Sequence, residues 1–120
     1  MADRVLFISW GTVARGREER ALEVFNAVLG FYGRLQQEGR IESIDVALLV
    51  PAPGVRGYLT VHGSAEQLGA LRDDEEYLRL MVDSELIVED FSIIEGYANE
   101  GVARQLAIYQ AQVSKIPQSA

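Results

Sequence analysis

The chain has 120 residues, of which 48% are hydrophobic and 24% are charged, as is usual for one soluble globular domain. A formal net charge of −7 argues against nucleic acid and against a membrane surface as partners, because both attract basic proteins. The absence of cysteine excludes disulfides and thiolate chemistry, and no apolar run approaches the roughly 20 residues of a membrane span. The apolar part of the N-terminus is too short for a secretory signal, so we expect a single cytoplasmic domain, residues 1–120.

The first part of the chain predicts a strand, a long helix and a second strand. Arg4–Trp10 is an apolar run that is typical of a central strand. From about Arg17 the apolar residues recur with the helical period, and Gly39 is a plausible helix end. Their stripe comprises Ala21, Leu22, Phe25, Val28, Leu29, Tyr32 and Leu35. Ile44–Val50 then predicts a strand, which the following prolines end.

The third predicted strand, Val55–His62, has two different faces. Leu59 and Val61 form an aliphatic face, whereas the alternate residues carry a phenol, a hydroxyl and an imidazole. A sheet covered by helices on one side would bury the aliphatic face and leave the other in a wetter environment. Ser64 follows at capping-box spacing from Gln67, which predicts the start of a helix.

The last part of the chain predicts two or three helices and one strand. The acidic run 73–76 either bends one helix or begins a second helix with Asp73 or Asp74 as its cap. Val88–Tyr97 predicts the fourth strand. Gly101–Val113 predicts a closing helix with a narrow apolar stripe, within a C-terminal segment that spans residues 99–115.

The predicted order is β-α-β-β-α-β with an added C-terminal helix. Right-handed crossovers place both helices on one face of a four-stranded antiparallel sheet, which is an α+β, ferredoxin-like fold with its core in residues 4–97. The other sheet face is left open and carries apolar residues. A second copy packed on that face would cover them, so we expect a homodimer.

This pattern resembles the dimeric α/β-barrel superfamily. The resemblance rests on the strand order and on residues 57–81, where a strand and a Gly-Ser turn are followed by AEQLGALRDDEEYLRLM. The similar families are the antibiotic-biosynthesis monooxygenase-like, stress-responsive barrel and NIPSNAP-like proteins. The resemblance implies a dimeric barrel, and its members include oxygenases without metal, heme-handling enzymes, isomerases, dehalogenases and proteins of no known activity. No catalytic motif can be matched residue by residue, so the fold does not select an activity.

His62 is the single histidine, and it shares a strand face with Tyr58. An imidazole titrates near neutral pH and can act as a general base, so these two residues are the catalytic candidates. The alternative is that His62 has no catalytic role and, at the end of its strand, bonds to the turn at Gly63 or points to solvent. We favour this alternative.

Four further residues are candidate ligand contacts. Trp10 ends the first strand and could line a pocket for a flat ligand, although a core or dimer contact is the commoner role. Ser9, Thr60 and Ser92 could place hydroxyls on the open sheet face. We expect no metal and no cofactor, because one histidine without cysteine is a poor ligand set and the acidic run lacks calcium-loop spacing.

Two functional hypotheses follow. The first is an uncharacterised dimeric barrel protein that binds a small apolar ligand between the sheet and its surroundings. The alternative is a small cofactor-independent oxygenase or isomerase that uses His62. Heme binding is a third and weaker hypothesis. The residues are compatible with an enzyme and with a binding protein.

Overall fold

The computed structural model describes residues 2–117, in which four strands and four helices form. In chain order they are β1 (Arg4–Trp10), α1 (Glu18–Gln37), β2 (Ser43–Leu48), β3 (Gly57–Gly63), α2 (Ala65–Arg72), α3 (Glu75–Glu85), β4 (Ser92–Tyr97) and α4 (Glu100–Val113). The strands form one antiparallel sheet in the order β2-β3-β1-β4. The predicted α+β class and ferredoxin-like strand order are confirmed.

The sheet buries the aliphatic face that the sequence predicted. Leu6 lies opposite Val61 and Ile8 lies opposite Leu59 in the β1–β3 register, and all four side chains are buried. They pack against α1, α2 and α3 in one apolar core. Burying apolar area at about 25 cal/mol per Å² is the main stabilisation of such a layer. The core also contains Phe31, Tyr32, Leu35, Ile41, Leu68, Leu71, Tyr77 and Met81.

The acidic run separates two helices, each with its own cap. The Ser64 hydroxyl accepts from the Gln67 amide at 3.1 Å, and the Gln67 side chain accepts from the Ser64 amide at 2.9 Å. At the start of α3, Asp74 accepts from the Tyr77 amide at 3.0 Å. Of the two predicted arrangements, the structure therefore has the second helix, with Asp74 as its cap.

Three strand boundaries differ from those predicted by two residues or more, and the fourth strand differs most. β4 begins at Ser92 and not at Val88, which forms only an isolated bridge with Val13. Asp90 interrupts the strand because its φ of 54° is left-handed and incompatible with extended pairing. The other two changes flank the proline-containing turn: β2 ends at Leu48, two residues before the predicted end, and β3 begins two residues after the predicted start.

Among residues 2–117, no helix covers the centre of the second sheet face. Phe7 of β1 and Tyr58 of β3 stack there with ring centroids 5.5 Å apart, and both are half-buried. Ile94 of β4 projects from the same face and is 57% exposed. We call this surface, formed by alternate residues of all four strands, the open face.

The C-terminal helix α4 is tied to the rest of the chain at its first turn. Arg104 forms an ion pair with Asp3, and a side chain at Gly101 would collide with the Asp3 carbonyl oxygen. Further along, Leu106 and Tyr109 are 60% and 69% exposed. The radius of gyration is 17.3 Å, whereas a compact chain of this length has about 14 Å. The helix therefore projects from the body.

Candidate functional site

A cavity of about 470 Å³ lies between α1 and the helix-facing side of the sheet. Strands β1, β2 and β3 form its floor, and the segment after α3 closes one side. Its lining is almost entirely apolar. The floor and the α1 wall include Ile8, Trp10, Phe25, Val28, Leu29 and Val46.

Trp10 is the largest side chain in this cavity, and its position depends on the residue across the sheet. Trp10 lies opposite Gly57 in the β1–β3 register. A Cβ at Gly57 would lie only 2.5 Å from Cζ2 of the indole, so the ring occupies the space above the glycine. Phe25 of α1 contacts the indole edge-on, with centroids 6.0 Å apart. The two rings give the cavity an aromatic wall.

Besides Trp10 with its indole N–H, two lining residues carry polar side chains, Glu18 at the start of α1 and Ser84 near the end of α3. Both oxygens of the Glu18 carboxylate accept from the Gly16 amide, at 3.0 and 2.8 Å. The Ser84 hydroxyl donates to the Leu80 carbonyl at 2.8 Å, so its lone pairs remain as acceptors. Glu18 is exposed and Ser84 is buried, and each keeps accepting capacity beyond these bonds.

The predicted catalytic pair lies on the open face. His62 Nε2 is 3.6 Å from Asp45 Oδ2, and the His62 side chain is half-buried. Tyr58, two positions earlier, contacts Phe7 through its ring. At 3.6 Å the two atoms are within ion-pair distance but too far apart for a good hydrogen bond.

The other predicted ligand residues are divided by the sheet. Ser9, Thr60 and Ser92 share the open face with His62, and Ser9 lies opposite both Tyr58 and Ser92. Trp10 lies on the other face and lines the cavity. The structure thus brings five of the six predicted site residues to one surface and separates them from Trp10.

Of the lining residues, sequence reasoning named only Trp10 as a ligand contact and missed the others, among them Phe25, Glu18 and Ser84. Phe25 belongs to the apolar stripe that predicts α1, as do residues that lie in the core. Glu18 and Ser84 carry no local motif, and only the fold brings them to one space. An apolar period shows which side chains face inward, but it does not show whether their packing leaves a gap.

Tyr32 is a buried polar group outside the cavity lining. It is 0% exposed, and its hydroxyl has no hydrogen-bond partner within residues 2–117. Burial raises the pKa of Tyr32 far above its usual value, and the neighbouring Tyr77 adds to the shift. The phenol therefore stays neutral and acts as a core residue.

Within residues 2–117, no cluster of three or more His, Cys, Asp or Glu side chains is arranged to hold a metal ion. In the same part of the chain, no helix combines the length and apolarity needed to cross a membrane.

Comparison with known proteins gives fold-level similarity. No protein-family model matches the chain, and no curated protein matches its sequence. A dimeric protein of unknown function with a ferredoxin-like fold from Bacteroides fragilis NCTC 9343 is 14% identical, with a TM-score of 0.56 over 79% of this chain and 96% of that one. A substituted variant of SnoaB, a cofactor-independent oxygenase from Streptomyces nogalater, is 16% identical, with a TM-score of 0.53 over 82% and 93%. At these identities the similarity concerns shape, and it agrees with the strand order: the chain has the ferredoxin-like fold.

Proposed function

We propose that the protein is a homodimer that binds one small apolar molecule in the cavity between α1 and the sheet. The observation that carries the proposal is the cavity itself. Its volume of about 470 Å³ falls in the range of roughly 300–1,000 Å³ that is typical of small-molecule sites. The aromatic wall of Trp10 and Phe25 suits a flat ligand, since stacked and edge-on rings attract one another beyond the effect of area alone.

Trp10 supplies a direct test, because it is the single tryptophan of the sequence and it lines the cavity. Titration with the neutral apolar probe N-phenyl-1-naphthylamine should change Trp10 emission saturably and enhance the probe's own emission. Val28→Phe places a larger side chain in the cavity and should weaken binding at least tenfold. Ala27→Phe is the matched control, because Ala27 is the adjacent, exposed residue of α1. Equal affinities of the two variants, or no saturable binding to the unsubstituted protein, would refute the proposal.

The proposed homodimer is supported by the open face. Phe7, Tyr58 and Ile94 leave apolar surface there, and a second copy would cover it through a two-fold contact. The Bacteroides fragilis protein of similar fold is dimeric. Sheet-to-sheet packing of two copies would give the dimeric barrel that the sequence pattern resembles.

The second candidate function is a cofactor-independent oxygenase or isomerase that uses His62 and Tyr58. It is supported by the His62–Asp45 pair, and by the similarity in shape to an oxygenase. In this proposal Ser9, Thr60 and Ser92 contact the substrate, which the partner subunit encloses against the open face. The sheet separates His62 from the cavity, which favours the binding function. A His62→Ala protein that retains full turnover of a substrate would exclude the catalytic role.

We also propose that residues 1–120 act as one domain in the cytoplasm. One sheet shares one apolar core with α1, α2 and α3, which supports a single cooperative unit. A sequence without cysteine is compatible with a reducing compartment. A single unfolding transition and the distribution of a fluorescent fusion would test the two statements.

A further inference from the structure

We infer that the cavity prefers a cationic amphiphile, an arylalkyl ammonium ion whose charged end lies at Glu18 and whose apolar part lies against Trp10 and Phe25. The inference rests on the proposed ligand-binding function and adds a charged end to its apolar ligand. It follows from the sign of the charge at the cavity and from the hydrogen-bonding capacity of the polar groups there.

Glu18 is the one charged side chain of the cavity lining, and no arginine, lysine or histidine accompanies it. Glu18 also forms no ion pair among the described residues. An anionic ligand would therefore meet repulsion without compensation, whereas a cation would meet an uncompensated carboxylate. Two unit charges 4 Å apart attract by about 1 kcal/mol even in bulk water, which corresponds to a roughly fivefold difference in affinity.

The hydrogen bonds of the two polar side chains favour a donor-rich ligand. The Gly16 amide holds the Glu18 carboxylate but uses only part of its accepting capacity, since a carboxylate has about four lone-pair sites. The Ser84 hydrogen is committed to the Leu80 carbonyl. An ammonium group carries three donors and no acceptor, so it complements the Glu18 carboxylate.

Glu18 also has a structural explanation that the experiment must separate from ligand selection. It lies in the first turn of α1, where a negative side chain is favoured by the helix dipole. Glu19 lies in the same turn, carries the same charge and does not line the cavity. It is therefore a matched control for both the helix effect and the net charge.

The test compares three probes with one naphthalene ring and different polar ends: 2-naphthylmethylamine, 2-naphthylmethanol and 2-naphthoate. Calorimetric titration should give the amine about fivefold tighter binding than the alcohol, and the carboxylate the weakest binding. Glu18→Gln should abolish the preference for the amine over the alcohol. Glu19→Gln should retain the preference.

The outcomes separate the inference from the proposed function. If the alcohol binds and the amine binds no tighter, the inference is wrong and the binding function stands. The inference is also wrong if Glu18→Gln and Glu19→Gln reduce the preference equally, because the effect would then be one of net charge. If none of the three probes binds, both statements fail together.

Discussion

Trp10 and Gly57 face each other across β1 and β3, and the indole occupies the space that a side chain at residue 57 would need. This relationship fixes the orientation of the cavity's largest aromatic ring. Gly57, the first residue of β3, therefore helps to determine the shape of the proposed ligand site.

Gly57→Ala should therefore displace Trp10 and destabilise the protein. Because the new Cβ would lie 2.5 Å from Cζ2 of the indole, the ring must tilt or the strands must separate. Overpacking of this kind costs about 1–3 kcal/mol. We expect a lower midpoint in urea and an altered Trp10 emission maximum.

Gly30→Ala is the control for this substitution. Gly30 lies inside α1, and a Cβ there would have no neighbour within 4 Å. Alanine in a helix interior is favoured over glycine by about 0.5–1 kcal/mol, so this variant should be more stable than the parent. A Gly57→Ala protein with unchanged stability and emission would show that the indole is not constrained by the glycine.

Tyr32→Phe should stabilise the protein at neutral pH. The Tyr32 hydroxyl is buried without a hydrogen-bond partner, and an unsatisfied buried polar group costs about 1–3 kcal/mol. Removing the oxygen relieves that cost and leaves only a small gap. We expect a gain of about 1 kcal/mol in the free energy of unfolding, measured by chemical denaturation. Tyr109→Phe, at an exposed position of α4, should change nothing.

The same residue should make stability fall in alkali. Burial raises the pKa of Tyr32 in the folded chain above the value of 10.0 that holds for an unperturbed tyrosine. Above that pH the unfolded chain releases the proton while the folded chain keeps it, so the free energy of unfolding decreases as pH rises. Tyr32→Phe should reduce this alkaline loss. If the free energies of unfolding of the parent and of Tyr32→Phe fall in parallel between pH 9 and 11, Tyr32 is not the group that causes the loss.

Asp74→Ala should destabilise the protein by removing the cap of α3. Asp74 accepts from the Tyr77 amide at 3.0 Å and from Arg40 Nη2 at 2.9 Å. Loss of an N-cap costs about 1 kcal/mol. Asp74→Asn should retain much of the cap and lose the ion pair, and Asp73→Ala is the neighbouring control. If all three variants unfold at the same temperature, the cap is not a stabilising contact.

The Asp74 contacts also have an acid dependence. The Arg40 side chain, and then the Tyr77 amide, hold the pKa of Asp74 below its usual value of 3.8. The stability that Asp74 contributes is therefore fully present above the pKa that it has in the unfolded chain. It is lost as the pH falls through the lower pKa that Asp74 has in the folded chain. The stability difference between the parent and Asp74→Ala should shrink below about pH 4.

Ile94→Glu should separate the proposed dimer. A glutamate on the open face would have to be buried without a partner at the contact, which is unfavourable. Light scattering at micromolar concentration should give the parent twice the mass of the variant. Leu78→Glu, at a similarly exposed position of α3 on the other side of the sheet, should remain dimeric. If the parent protein has the mass of a monomer, the proposed homodimer is wrong.

The order of elements along the chain and the buried face were predictable because they depend on local periodicity, and the crossover rule then supplied the sheet arrangement. The alternation in β3 sufficed to assign Leu59 and Val61 to the core, and the Ser64–Gln67 spacing sufficed to begin a helix. The start of β4 was not predictable, because aspartate tolerates a left-handed backbone but most aspartates do not adopt one, so Asp90 could not be singled out. The cavity was not predictable either, since Trp10 and Glu18 converge only in the folded chain.

Because α4 projects from the body, the hydrogen exchange of its amides can show whether the protein associates. A helix of 14 residues is only marginally stable in water without packing, since isolated helices shorter than about 12–15 residues rarely persist. Beyond its anchored first turn, the amide hydrogens of α4 should therefore exchange rapidly with deuterium when nothing covers Leu106 and Tyr109. Slower exchange at high protein concentration, confined to this helix, would reveal that association shields it, and would do so without any substitution.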